Sequence, residues 1–218
     1  MDLKDVASLA LPLLLIPLTL YSVSSFGHDA GNAIIGLAFL ICFARFADAK
    51  ERWMMITLAI LATLFETANV ATGSYRYAGT NSTPIWVCLG WGILGIYLLK
   101  NQRVFAMAGA NAAYAIAALA YLGAWLYTGA LASMLLYSLF AVLTVYALGL
   151  VSERPPSFFL SAGLLGVIIE LCGTSFKVWS YFGPGGGIIP VNTGSIGLAY
   201  ATVVAFGMFL CGLDKKKG

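Results

Sequence analysis

Long, predominantly apolar runs of residues limit most strongly what this chain can fold into. Eight such runs follow one another along the 218 residues, at positions 7–25, 30–47, 53–73, 84–99, 104–126, 130–151, 157–177 and 188–212. A helix needs about 20 apolar residues to cross the hydrocarbon core of a bilayer. Membrane β-barrels instead show alternating strands of about ten residues, and that alternation is missing here. The runs therefore predict an all-α membrane protein with about eight transmembrane helices.

The small share of charged residues supports the same fold class. Charged residues make up 10% of the chain and hydrophobic residues 61%, whereas about 25% of an ordinary soluble domain is charged. So few polar side chains cannot cover the surface of a water-soluble fold of this size. The composition excludes a disordered chain and a nucleic-acid binder, and the short linkers leave no room for a soluble domain. We therefore expect the lipid bilayer, and no nucleic acid, as a partner.

The basic residues fall unevenly on the two sides of this predicted membrane domain. With eight spans, Arg76 and Lys177 lie on one side, and the other side carries ten: Lys4, Arg45, Lys50, Arg52, Lys100, Arg103, Arg154, Lys215, Lys216 and Lys217. Cytoplasmic loops of membrane proteins collect lysine and arginine. The distribution predicts that both termini are cytoplasmic, and we expect a multi-pass protein of the bacterial inner membrane.

Two segments 104 residues apart share a sequence pattern. The matching pairs are Glu66 and Glu170, Tyr75 and Trp179, Tyr77 and Tyr181, and Gly79 and Gly183. Both segments run off the non-cytoplasmic end of a predicted helix, four spans apart, and an even number of spans per repeat gives parallel repeats. We therefore predict one membrane domain built from two parallel four-helix repeats, residues 1–103 and 104–218.

Glu66 and Glu170 are the acidic residues that lie inside the predicted spans. An ionised carboxylate near the centre of a transmembrane helix costs about 2.5–3.5 kcal/mol. We therefore expect at least one of the two to be protonated at neutral pH and able to give its proton to a substrate. The simpler alternative is that each glutamate only bonds to a neighbouring helix.

Polar and aromatic side chains accompany both acids. Asn69 lies three residues after Glu66 and Thr174 four after Glu170, which places each on the same helix face as its acid. The predicted substrate-binding residues are these two together with Tyr75, Tyr77, Trp86, Trp91, Trp179 and Tyr181. The rings could also form the anchoring belt common to membrane proteins. We expect no metal and no cofactor, because the chain has one histidine and no phosphate-binding or dinucleotide motif.

A resemblance to a known group begins at Glu66. The pattern Glu66-x3-Val70-x-Thr72-Gly73-x-Tyr75-x-Tyr77, followed by Pro84 and by Trp86 through Trp91, resembles the membrane-helical carotenoid-biosynthesis proteins of the hydratase and lycopene-cyclase-like type. Integral-membrane terpene cyclases are similar in size and in their two helix-borne acids. The resemblance implies that Glu66 is the acid, that Tyr75 and Tyr77 line the pocket, and that Glu170 is the partner. The second copy departs from the pattern, with Phe176-Lys177 in place of Thr-Gly.

Two classes of function fit these features, and the oligomeric state stays open. The first is a membrane enzyme, a terpenoid or carotenoid cyclase or hydratase, that protonates an alkene or epoxide of a lipid-soluble isoprenoid and stabilises the cation with aromatic rings. The alternative is a proton- or cation-coupled transporter of small solutes with a glutamate in each repeat. A non-catalytic partner subunit is a third reading, for which no residue gives positive support.

Overall fold

Helices make up most of the chain in the computed structural model, which describes residues 3–101, 156–182, 186–189 and 193–213. The helices are α1 (Leu3–Phe26), α2 (His28–Ile41), which continues into a short π-helix (Cys42–Phe46), α3 (Ala49–Ala71), α4 (Ile85–Lys100), α5 (Pro156–Ser175) and α6 (Thr193–Leu210). Each lies where the sequence predicts an apolar run. The predicted spans 104–126 and 130–151 lie outside the described residues.

Two helical stretches of the described chain are long and apolar enough to cross a membrane. They are His28–Phe46, formed by α2 and its π-helix, and Ala49–Ala71, which is α3. Only 11% and 28% of their apolar windows are buried within the protein, so most of that surface faces outward. The apolar stretches of the other described helices are 10–17 residues long, which is short for a span. The structure therefore supports a mostly helical chain with membrane-compatible helices at two of the eight predicted positions.

The first compact unit contains residues 3–101 together with 168–182 and 186–189. At one end of its helices, Lys100 Nζ bonds to Glu51 Oε2 at 2.8 Å, and Arg52 Nε donates to the Phe43 carbonyl at 2.9 Å. Asp48 begins α3 with a capping box, since its side chain accepts from the Glu51 amide while the Glu51 side chain accepts from the Asp48 amide. Charged side chains thus gather at this end of the unit.

Two glycines bring α4 close to α3. A Cβ at Gly92 would lie 2.8 Å from both the Met55 carbonyl oxygen and the Phe39 ring, and one at Gly95 would lie 2.3 Å from Leu58 Cδ1. Small residues at such contacts allow helix backbones to approach closely. This approach brings the α4 side chains, including Trp91, within reach of α3.

A three-stranded antiparallel sheet corrects the all-α prediction. Its strands are β1 (Tyr75–Tyr77), β2 (Trp179–Phe182) and β3 (Ile188–Ile189), in the order β1-β2-β3. The sequence pattern missed them because they are two to four residues long, and alternation becomes recognisable only over four to eight residues. The sheet lies at the end of the first unit where α3 ends.

Helices α3 and α5 end in the same way, at positions 104 residues apart. After α3, Ser74 N donates to Asn69 O and Gly73 N to Val70 O; after α5, Val178 N donates to Gly173 O and Lys177 N to Thr174 O. This is the Schellman pattern, in which the residue after the helix adopts the left-handed conformation. That residue is Gly73 in the first copy (φ 73°) and Lys177 in the second (φ 57°).

The strand register preserves the same offset. Arg76 pairs with Ser180, which lies 104 residues later, and Tyr75 and Tyr77 pair with Tyr181 and Trp179. Two backbone bonds flank the pairing, Ala78 N to Val178 O at 2.8 Å and Phe182 N to Ser74 O at 2.9 Å. They are equivalent, because Phe182 lies 104 residues after Ala78 and Val178 lies 104 residues after Ser74. A local two-fold relation therefore holds between the two segments at this point.

The second compact unit contains residues 156–167 and 193–213 among those described. Within it, the first half of α5 lies directly against α6: a Cβ at Gly163 would be 2.7 Å from the Gly197 carbonyl, and one at Gly166 would be 2.2 Å from the Tyr200 ring. The largest fully buried side chains among its described residues are Phe158, Phe159, Val204 and Met208.

Candidate functional site

Both predicted acids lie in the first unit and are buried there. Glu66 sits near the end of α3 and Glu170 near the end of α5, with side chains only 5% and 8% exposed. Because the two helices end alike and their following strands pair, both carboxyls lie close to the sheet. They are near enough for their charges to repel when both are ionised.

The Glu66 carboxyl has one described donor for each oxygen. The Tyr77 hydroxyl lies 3.1 Å from Oε2, and the Trp91 indole N–H donates to Oε1 over 3.3 Å. Tyr77 is on β1, eleven residues after Glu66, and Trp91 comes from α4. The site therefore depends on three elements of the unit.

The Glu170 carboxyl has both of its described donors on one oxygen. The Trp179 indole N–H and the Tyr181 hydroxyl donate to Oε2, each over 2.7 Å. Tyr181 again follows its glutamate by eleven residues, as Tyr77 follows Glu66. Burial and the adjacent Glu170 charge raise the pKa of Tyr181 on β2, so this hydroxyl stays protonated and continues to donate.

Aromatic rings join the two carboxyl groups into one cluster. The rings of Tyr75 and Tyr181 are tilted against each other with centroids 5.4 Å apart, and Tyr77 meets Trp179 edge-on at 5.8 Å. These are the directly opposed pairs of the β1–β2 register, and directly opposed side chains on one face of an antiparallel pair contact each other. The Tyr75 and Tyr77 hydroxyls also lie 3.4 Å apart. The cluster thus extends from one acid to the other.

His28 supports this cluster and is a residue that the sequence did not assign to the site. Its Nε2 donates to the Ala78 carbonyl at 2.7 Å, and its Nδ1 accepts from the Trp86 indole at 3.2 Å, which defines a neutral imidazole. Trp86 in turn lies 6.3 Å from the Trp179 ring. These partners lie 50 and 58 residues away in the sequence. The sequence feature that could have indicated the role of His28 is that it is the one histidine of the chain and lies between the first two apolar runs.

The structure places five of the eight predicted substrate-binding residues in the aromatic cluster, namely Tyr75, Tyr77, Trp86, Trp179 and Tyr181, and Trp91 bonds to Glu66 from α4. The other two bond to their own helices. Asn69 Nδ2 donates to the Phe65 carbonyl and Thr174 Oγ1 to the Glu170 carbonyl, each over 2.9 Å. The bonds described for these two side chains do not include the carboxyl groups. Residues 3–101 and the other described ranges hold no group of three metal-binding side chains.

An apolar groove adjoins the site on the outward faces of α2, α3 and α4. It is open on one side, has a volume of about 420 Å³ and is lined by Phe39, Ile56, Ala59, Ile60, Thr63, Thr83, Ile85, Cys88 and Leu89. Thr63 lies one helical turn before Glu66, and Cys88 is close enough to Glu66 for the two side chains to interact electrostatically. The groove therefore runs along α3 towards the buried carboxyl.

Comparison of the chain with protein-family models, curated proteins and solved structures gives no match. A function is therefore inferred from the geometry of the site.

Proposed function

We propose that this chain is an integral membrane enzyme that uses Glu66 and Glu170 for acid–base chemistry on an isoprenoid or another lipid-soluble substrate. The observation that carries the proposal is the pair of buried carboxyls joined by a single aromatic cluster. A pair that only held helices together would need no rings between the two acids. The resemblance to carotenoid-biosynthesis proteins and membrane terpene cyclases favours the same class of reaction, a cyclisation or hydration.

The chemistry needs only the groups that the site contains. A protonated carboxyl transfers its proton to an alkene, so its O–H bond breaks, a C–H bond forms and a carbocation remains. Aromatic ring faces stabilise a desolvated cation by about 2 kcal/mol or more. The other carboxylate then removes a proton from the cation to complete a cyclisation, or orients a water molecule and takes its proton as the C–O bond forms to complete a hydration.

The groove is the proposed path for the hydrocarbon chain of the substrate. Its lining is apolar apart from the two threonines and the thiol at the end near Glu66. Its volume falls within the range of about 300–1,000 Å³ that is typical of small-molecule sites. A substrate dissolved in the bilayer would reach it from the outward faces of helices that are compatible with a membrane.

We place this site in a multi-pass protein with eight spans in two parallel four-helix repeats, residues 1–103 and 104–218, with both termini cytoplasmic in a bacterial inner membrane. The matching helix ends and the strand register, both offset by 104 residues, support the repeats. The bonds of Lys100 and Arg52 at the opposite end from the sheet agree with a charged cytoplasmic face.

The test is mass spectrometry of organic extracts from the full chain purified in mild detergent. We compare the wild type with Glu66→Gln and Glu170→Gln, and use Glu51→Gln as the control because Glu51 pairs with Lys100 away from the site. We expect one neutral isoprenoid at near-stoichiometric amount, with product in the wild type and control and unconverted substrate in the two site variants.

Bulk phospholipid alone in every sample, or unchanged conversion in both site variants, would overturn the proposal. Gradient-driven uptake of a small solute or ion into liposomes, abolished by Glu66→Gln or Glu170→Gln, would instead establish the transporter alternative.

A further inference from the structure

We infer that the carboxyl pair holds one proton, that this proton resides on Glu66 and exchanges through the hydroxyls of Tyr77 and Tyr75, and that Glu170 is the ionised partner. This inference rests on the proposed acid–base function and assigns distinct roles to two acids that the chain presents in matching positions.

The count of one proton follows from burial and charge. Both carboxyls are removed from water, and the donors described around them are hydroxyl and indole groups, which are neutral. Two like charges that interact within one buried cluster disfavour each other. Retaining a single proton removes the repulsion and leaves one negative charge, which balances one positive charge on a substrate.

The hydrogen bonds of Glu170 identify it as the ionised member. Its Oε2 accepts from both Trp179 and Tyr181 over 2.7 Å. An indole N–H can only donate, so this oxygen acts as an acceptor. Bonds of this length are typical of charge-assisted contacts to a carboxylate.

The hydrogen bonds of Glu66 fit a neutral acid. Its contacts, 3.1 Å to Tyr77 and 3.3 Å to Trp91, are longer than those of Glu170. Because Trp91 can only donate, Oε1 is an acceptor, and the proton belongs on Oε2. There it faces the Tyr77 oxygen, which can accept this hydrogen while its own hydroxyl turns towards Tyr75, 3.4 Å away.

On the Glu66 side of the pair, two tyrosine hydroxyls follow one another, those of Tyr77 and Tyr75. The position equivalent to Tyr75, 104 residues later, is Trp179. An indole has no lone pair to accept a proton and pass it on. When the Glu66 O–H bond breaks and a substrate C–H bond forms, Tyr77 gives its proton to Glu66 and takes one from Tyr75, and Tyr75 recovers a proton from a water molecule that enters the site. Tyr75 itself contacts the ring of Tyr181, which bonds to Glu170.

Infrared spectroscopy of the full chain in lipid bilayers tests this assignment, since the C=O stretch of a buried carboxylic acid is separate from carboxylate bands. At neutral pH we expect one such band in the wild type, its loss in Glu66→Gln, and its retention in Glu170→Gln and in the control Glu51→Gln. Loss in Glu170→Gln with retention in Glu66→Gln, two bands, or none would overturn the inference. If Glu66→Gln fails to fold, retention in Glu170→Gln still decides the assignment.

The relay has its own measurement, which is the rate at which the band shifts after transfer to D₂O. Tyr75→Phe should keep the band and slow its exchange by about tenfold, the factor that corresponds to one hydrogen bond of about 1.4 kcal/mol. Tyr21→Phe, on α1 outside the described bonds of the two acids, serves as the control. Exchange at the wild-type rate in Tyr75→Phe would rule out the relay. Neither the infrared band nor its exchange rate depends on catalytic turnover. The spectroscopic result can therefore contradict this inference while the extract experiment supports the proposed function, and the opposite combination is equally distinguishable.

Discussion

Replacing Gly173 by alanine tests the packing that holds Trp179 on Glu170. Gly173 lies on α5 directly against the Trp179 indole, and a Cβ there would come within 2.0–2.4 Å of three of its ring atoms. The equivalent position on α3 is Asn69, and the ring that follows it is the smaller Tyr75. The larger ring in the second copy therefore needs the glycine.

The expected loss of stability is a few kcal/mol. Forcing an extra methyl group into a packed site costs about 1–3 kcal/mol. Moving the indole away from Glu170 also removes a hydrogen bond, which contributes about 1.5–3 kcal/mol if Glu170 is ionised as we infer. Alanine favours the helix over glycine by about 0.5–1 kcal/mol, so the free energy of unfolding should fall by about 2–5 kcal/mol.

The assay is denaturant unfolding in detergent, followed by tryptophan fluorescence. The control is Gly90→Ala on α4, where a Cβ would have nothing within 4 Å, so its stability should be unchanged or slightly higher. Adding Trp179→Tyr to Gly173→Ala should restore part of the loss, because it reproduces the smaller ring of the first copy. Equal unfolding midpoints for Gly173→Ala and Gly90→Ala would refute this packing.

Two further predictions concern the helix end and the groove. Lys177 adopts φ 57° where the first copy has Gly73, and a residue with a side chain costs about 1–2 kcal/mol in that left-handed conformation. Lys177→Gly should therefore raise the unfolding midpoint, and Gly73→Ala should lower it. A lower unfolding midpoint for Lys177→Gly would contradict the reasoning. Ile60→Trp should fill the groove and reduce the amount of isoprenoid that co-purifies with the protein. The control is Leu64→Trp, which should not reduce it, because Leu64 is exposed on the same helix outside the groove lining. Equal amounts of isoprenoid in both variants would exclude the groove as the binding path.

Much of the helical framework could be predicted from local sequence. The apolar runs at 53–73 and 84–99 correspond to α3 at Ala49–Ala71 and α4 at Ile85–Lys100. An α-helix satisfies its backbone hydrogen bonds within one segment, so a long apolar run is enough to predict it. Glu66 and Glu170 stood out as well, since a carboxyl group within an apolar run is expensive wherever the helix packs.

Only the tertiary structure decided how these residues meet. The pairing of Tyr75 with Tyr181 joins positions far apart in the chain, and strands this short leave no periodic signal. The same holds for His28, which reaches Ala78 and Trp86 across 50 and 58 residues. By itself the sequence determined that two matching acids lie in apolar helices. The hydrogen bonds described for them differ because folding supplies an indole and a hydroxyl to one oxygen of Glu170 but separate partners to the two oxygens of Glu66.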